Sequence, residues 1–108
     1  MKRILVVSDN DLLLVGIERL LKRIVDLSIH MSVTQDEEEI IRHIQETNPE
    51  VIIVDGSFEK NGSLQLTRLL NSKKVVRLLI MNIDSNHIQI YDKREVSLEH
   101  TADLTAYM

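Results

Sequence analysis

The 108-residue sequence contains no cysteine and no tryptophan, a single proline and three glycines, and only 3% of it is aromatic. Without cysteine there is no disulfide framework, no thiolate metal site, no Cys-ligated iron–sulfur cluster and no thiol catalysis. None of the few glycines lies in the first strand–helix loop, which excludes a dinucleotide fingerprint or a P-loop. The scarcity of aromatics leaves no stacking platform for single-stranded bases. A positive field is missing too. The 13 Lys+Arg against 17 Asp+Glu give a net charge of −4, which disfavours nucleic-acid binding because counterion release needs concentrated cations. No window approaches the roughly twenty apolar residues of a membrane-spanning helix. After Lys2-Arg3 the apolar run extends only from Ile4 to Val7 before Ser8-Asp9-Asn10-Asp11 closes it, too short for a signal peptide. A cytoplasmic chain without a membrane or nucleic-acid partner is expected.

What is present is the mixture of a globular protein, 44% hydrophobic and 28% charged. A chain of this length buries a core without metal or disulfide staples, so residues 1–108 are expected to form one domain. Ile4-Leu5-Val6-Val7 and Val51-Ile52-Ile53-Val54 are unbroken apolar runs, the pattern of strands covered on both faces. Asp11 is a candidate cap for a helix whose stripe is Leu13, Ile17, Leu20, Leu21 and Ile24. Leu27, Ile29, Met31 and Val33 alternate with Ser28, His30 and Ser32 as in a half-buried edge strand. Thr34 and Glu37 have capping-box spacing, Ile40, Ile41 and Ile44 supply the next helical stripe, and Asn48-Pro49 ends that helix. A loop through Asn61-Gly62 leads to a helix with Leu66, Leu69 and Leu70, then to a strand from Val75 to Ile83 interrupted by Arg77. Strands alternating with helices imply βαβ units, right-handed crossovers and a doubly wound sheet of order 2-1-3-4-5.

The end of the chain departs from that alternation. Only Asp84-Ser85-Asn86 separate the fourth strand from the strand-like run His87 to Val96. A parallel crossover takes a dozen or more residues, whereas three turn-forming residues join antiparallel strands, so the fifth strand is expected to form a hairpin with the fourth. Lys93 then lies about six residues, or roughly 20 Å, from the rim where the fourth strand ends. Ser97 to Met108 has the spacing of a terminal helix with Leu98, Ala102, Thr105 and Met108 on one stripe. Leu78, Ile80, Ile88 and Ile90 are expected to leave an apolar patch, covered by that helix, by a second subunit, or by both.

In a doubly wound sheet, ligands sit beyond the carboxyl ends of the central strands. The first strand ends in Ser8-Asp9 and the third in Asp55. Two carboxylates converging on one rim repel each other, and a hard cation such as Mg²⁺ relieves this. Read singly, each Asp is better explained as a helix cap or a turn residue, and it is the pair on adjacent central strands that points to a site.

The opening from Ile4 to Ile17, with its acidic segment, two apolar residues and Gly16-Ile17, resembles the start of response-regulator receiver domains, closest to the subfamily that precedes LuxR-type DNA-binding domains. Val51-Ile52-Ile53-Val54-Asp55 resembles their phosphoacceptor strand, and Gly62 falls where the family has a glycine before its third helix. The resemblance covers about residues 3 to 83 at matching spacing. It implies a flavodoxin-like (CheY-like) fold and a two-component signalling role that is not itself enzymatic. It also implies a phosphoacceptor at Asp55, Mg²⁺ held by Asp9, Asp55 and the Ser57 carbonyl, and a sensor histidine kinase as partner.

The departures fall on the switch itself. Ser8 replaces the first acid, Asn82 stands where the family has Thr or Ser, and Phe58 and Glu59 occupy the region of its Met-Pro. The fourth helix is missing, and Lys93, with Tyr91 two residues before it, does not match the family's conserved lysine. The rival expectation is therefore a phosphorylation-independent pseudo-receiver, an interaction or dimerisation module. The histidines at 30, 43, 87 and 100 lack metal-site spacing, and of them only His87 is expected near the rim.

Overall fold

The computed structural model describes residues 2–24, 26–34, 36–56, 66–71, 75–82, 85, 87–94 and 104–106. The elements run β1 (Lys2–Ser8), α1 (Asp11–Leu21), β2 (Leu27–Val33), α2 (Glu37–Thr47), β3 (Val51–Asp55), α3 (Leu66–Leu70), β4 (Arg77–Asn82) and β5 (His87–Asp92). They build one α/β sheet of order β2-β1-β3-β4-β5. The pairings are parallel from β2 to β4, and β5 is antiparallel to β4. This is the flavodoxin-like arrangement, with the hairpin in place of a fifth parallel strand.

The apolar runs are unbroken because each face of the central strands meets a different layer. Leu5, Val7, Ile52, Val54, Leu78 and Ile80 pack with Ile40 and Ile44 of α2 and Leu69 of α3. Ile4, Val6, Val51 and Ile53 pack with Leu14 and Ile17 of α1. Burying one such side chain contributes on the order of 1.5–3 kcal/mol, so the two layers supply most of the driving force for folding.

Local chemistry sets the helix ends, and in two places it differs from the expectation. The cap of α1 is Asn10, not Asp11: its Oδ1 accepts from the amides of Leu12 and Leu13 at 3.0 and 3.2 Å, while Asp11 sits in the first turn facing the helix dipole. Thr34 and Glu37 do not form a capping box. Asp36 caps α2 by accepting from the Glu38 amide, and the Thr34 hydroxyl donates to Glu39 Oε2 at 2.9 Å. At the other end Asn48 adopts the left-handed region at φ 49°, and Pro49 prevents continuation.

The stripe of α1 is rotated from the expected one. Leu14 and Ile17 are buried with Leu13 and Leu21 beside them, whereas Leu20 and Ile24 are exposed. On β2, Leu27, Ile29 and Met31 pack on the α1 side as expected, but Val33 at the strand's end is exposed. The fourth strand begins at Arg77, with buried Val75 entering it, and β5 ends at Asp92 rather than Val96. The expected terminal helix is described only at 104–106, a helical turn with exposed side chains, so the remainder of 97–108 lies outside the described residues. No helix among the described residues is long and apolar enough to cross a membrane.

The apolar patch is real but differently composed. Leu78 and Ile80 are fully buried on the α2–α3 side, opposite Tyr91 and Gln89 of β5. Ile88 and Ile90 face the other way, opposite Met81 and Leu79, and are exposed. In the continuous run Leu78-Leu79-Ile80-Met81 the sequence carries no phase, and the packing of Leu78 against α2 and α3 supplies it.

Candidate functional site

The carboxyl ends of β1, β3 and β4 meet at one rim. Register pairs Val7 with Val54 and Asp55 with Met81, so Ser8 lies beside Asp55 and Asn82 lies one residue beyond Met81. Asp55 is half-buried and Ser8 is fully buried. A buried hydroxyl needs partners, and Ser8 has two. Its Oγ donates to Asp55 Oδ2 at 3.1 Å and accepts from the Asn10 amide at 3.0 Å. One side chain thus ties the end of β1, the cap of α1 and the carboxylate at the end of β3.

Gly56 continues β3 into the loop, and its amide donates to the Met81 carbonyl at 2.8 Å. A Cβ at this position would collide with the Asn82 carboxamide and stand 3.1 Å from the Met81 oxygen. The Asn82 side chain therefore lies directly over the backbone that follows Asp55. The structure brings Ser8, Asp55 and Asn82 together and places exposed Asp9 just beyond β1 at the same rim. Ser57, the third ligand the resemblance implies, and Phe58, Glu59 and Gly62 lie outside the described residues.

Lys93 is not at this rim. Its amide donates to the Val76 carbonyl at 2.9 Å, at the opposite end of the sheet. There it lines a cleft of about 250 Å³ with Lys2, Val76, Arg77, Asp92 and Arg94. His87 does reach the rim end, paired with Asn82, but its Nδ1 is held by the Ser85 carbonyl at 2.6 Å within the turn.

Sequence reasoning missed two arrangements. One is the Ser8–Asn10–Asp55 connection, whose only signal is the Ser-Asp-Asn tripeptide after an apolar strand. The other is Ser32 on β2, which is buried and shares a 2.5 Å contact with His43 Nδ1 of α2, while His43 Nε2 lies 4.0 Å from Glu39 Oε1. The hydroxyl, imidazole and carboxylate resemble a nucleophilic set. With Ser32 1% exposed, however, no substrate can reach it, and the group pins α2 to the edge strand.

Among the described residues no group of three or more His, Asp or Glu is placed to hold a metal ion. Among the described rim residues the carboxylates are those of Asp9 and Asp55, with the Asn82 carboxamide beside them and the His87 ring held in its own turn. Mg²⁺ takes one or two carboxylates and keeps its remaining sites for water, so the donor set fits it with one negative charge fewer than a site with an acid at position 8. No family model, curated protein or solved structure matches this chain.

Proposed function

We propose that the chain is a receiver-like domain of two-component signal transduction, with Asp55 as the residue that accepts a phosphoryl group from a sensor histidine kinase or a small phosphodonor. The observation that supports this most directly is the place of Asp55. It is a half-buried carboxylate at the carboxyl end of β3, beside the β1–β3 switch point of a 2-1-3-4-5 sheet. In the proposed step a carboxylate oxygen of Asp55 attacks phosphorus in line, the bond to the donor's leaving group breaks, and the leaving group departs with the electron pair. Ser8 fixes the rotation of the carboxylate through its bond to Oδ2. Mg²⁺ on Asp9 and Asp55 would supply charge neutralisation for the phosphoryl oxygens.

A second reading has its own support. The hydroxyl of Ser8 already satisfies one carboxylate oxygen without any cation. Asn82 presents a carboxamide where receivers present a hydroxyl. Both favour a pseudo-receiver that holds its fold and binds partners independently of phosphorylation.

Incubation with acetyl phosphate or phosphoramidate, followed by intact-mass analysis, separates the two. The first reading expects a Mg²⁺-dependent adduct on the wild type and none on Asp55→Asn. An adduct that survives Asp55→Asn removes Asp55 as the site, and no adduct on the wild type selects the pseudo-receiver.

A further inference from the structure

We infer that the outer edge of β5 is a docking edge for a second copy of this chain, the two β5 strands pairing antiparallel about a two-fold axis through Gln89. The inference rests on the hairpin alone and holds whether or not Asp55 accepts a phosphoryl group.

The hairpin register is continuous from Arg77↔Asp92 to Asn82↔His87, with no bulge. In an antiparallel ladder, alternate residues direct both backbone groups toward the neighbouring strand and the others direct both away. The Lys93 amide bonded to the Val76 carbonyl sets the phase. Residues 87, 89, 91 and 93 face β4, while Ile88, Ile90 and Asp92 present their N–H and C=O groups outward. β5 is the last strand of the sheet, and no described strand pairs with its outer side.

Edge strands are ordinarily protected by charge, proline, a bulge or a covering helix. From His87 to Tyr91 the segment His-Ile-Gln-Ile-Tyr holds no Asp, Glu, Lys, Arg or Pro, its register carries no bulge, and among the described elements no helix packs on it. Ile88 and Ile90 are 57% and 60% exposed. The other edge strand, β2, differs because α1 and α2 both pack on it, whereas among the described elements β5 has substantial contact with β4 alone.

Only one self-complementary register sets isoleucine against isoleucine at both positions. Residues that face each other share a sheet face, and only outward-directed residues form hydrogen-bonded pairs. Setting Ile88 against Ile90 of the second copy meets both conditions. By symmetry Ile90 meets Ile88 of that copy, each pair exchanging both backbone bonds, and His87 falls opposite Tyr91. The four isoleucines then form one apolar cluster of β-branched cross-strand pairs. Centring on Ile90 instead would set Ile88 against the Asp92 carboxylate.

Sedimentation equilibrium on the wild type and two edge variants, with a pair of cysteine variants for crosslinking, tests this. Ile90→Pro deletes an outward N–H that β4 does not use, a position an edge strand tolerates. The double variant Ile88→Lys with Ile90→Lys keeps the backbone and sets like charges opposite each other. Both should sediment as monomers under conditions where the wild type has the mass of two chains, with unchanged far-ultraviolet dichroism.

In this register Gln89 faces Gln89 of the second copy as a non-hydrogen-bonded pair, with Cα atoms about 4.5 Å apart, inside the disulfide range. Gln89→Cys should therefore crosslink on oxidation, in a chain that has no other cysteine, while Gln45→Cys on the exposed side of α2 should not. A wild type that stays monomeric at high concentration overturns the inference. So does a dimer that persists in the lysine variant, or a Gln89→Cys crosslink no more abundant than that of Gln45→Cys.

Discussion

Ser8 Oγ donates a hydrogen bond to Asp55 Oδ2 at 3.1 Å, and the same oxygen accepts the Asn10 amide at 3.0 Å. The carboxylate at the end of β3 is thus held by a neutral, buried donor from the neighbouring strand. Ser8→Ala removes both bonds and leaves a part-buried carboxylate oxygen and an amide to find other partners. The expected loss is about 1–2 kcal/mol, read as a lower urea midpoint at unchanged slope.

Ser8→Asp probes the charge of the same site. It brings a second carboxylate against Asp55, and like charges at this range disfavour ionisation of both. In metal-free buffer the variant should melt below the wild type. Millimolar Mg²⁺ should raise its melting temperature more than that of the wild type, because a divalent cation relieves a repulsion that serine does not create. Calorimetry with and without Mg²⁺ measures the difference, and equal shifts in the two proteins would count against Asp55 as part of a cation site.

Gly56 and Asn82 make a second coupled pair. A methyl group at 56 meets the Asn82 carboxamide first and the Met81 carbonyl oxygen next. Gly56→Ala should cost on the order of 1–3 kcal/mol, the usual penalty of overpacking. Asn82→Ala in the same chain should recover part of it. Denaturant unfolding of the two single variants and the double variant gives the coupling directly, and strictly additive losses would show that the two residues do not meet.

How far this was legible in the sequence depends on whether a pattern carries phase. Ile4–Val7 and Val51–Val54 are readable because strands buried on both faces are apolar at every position, and no phase is needed to place them. The hairpin is readable because the length of 84–86 alone decides direction. By contrast, Leu78-Leu79-Ile80-Met81 is apolar throughout, so which pair faces α2 and which lies beside Ile88 and Ile90 is settled only by tertiary packing. The same holds at the start of α1, where Asn10 and Asp11 are both competent caps and the folded chain uses Asn10. Ser8 was legible only as the residue standing where the receiver resemblance would place an acid, and its role as the hydroxyl that holds Asp55 depends on the β1–β3 register.

The contact between Ser32 and His43 supports α2 rather than chemistry. His43→Ala would leave the Ser32 hydroxyl buried without its ring partner, at a cost of roughly 1–3 kcal/mol. Ser32→Ala with His43→Ala removes both halves and should lose less than the sum of the single variants. Hydrogen exchange should show the change concentrated in β2 and α2, the elements this contact joins, with the amides of β4 unaffected.

Lys93 gives the sharpest test of how the hairpin bears on the proposed chemistry. Asp55 pairs with Met81, Met81 pairs with Ile88, and Lys93 lies five residues further down β5. At the usual rise that is about 17 Å, beyond the reach of a lysine side chain. The Lys93 amide is committed to Val76 at the far end of the sheet. In receivers a lysine after the fifth strand is an integral part of the switch, and here the antiparallel strand carries the nearest candidate away from the rim. The informative background is Ser8→Asp with Asn82→Thr, which restores an acid beside Asp55 and a hydroxyl at the end of β4. This double variant should take up phosphoryl groups from acetyl phosphate faster than the wild type. Adding Lys93→Ala should leave that rate unchanged within about two-fold, a difference of less than about 0.5 kcal/mol in barrier. A rate that collapses on removal of Lys93 would mean that its ammonium reaches the phosphoryl group, which the strand direction forbids.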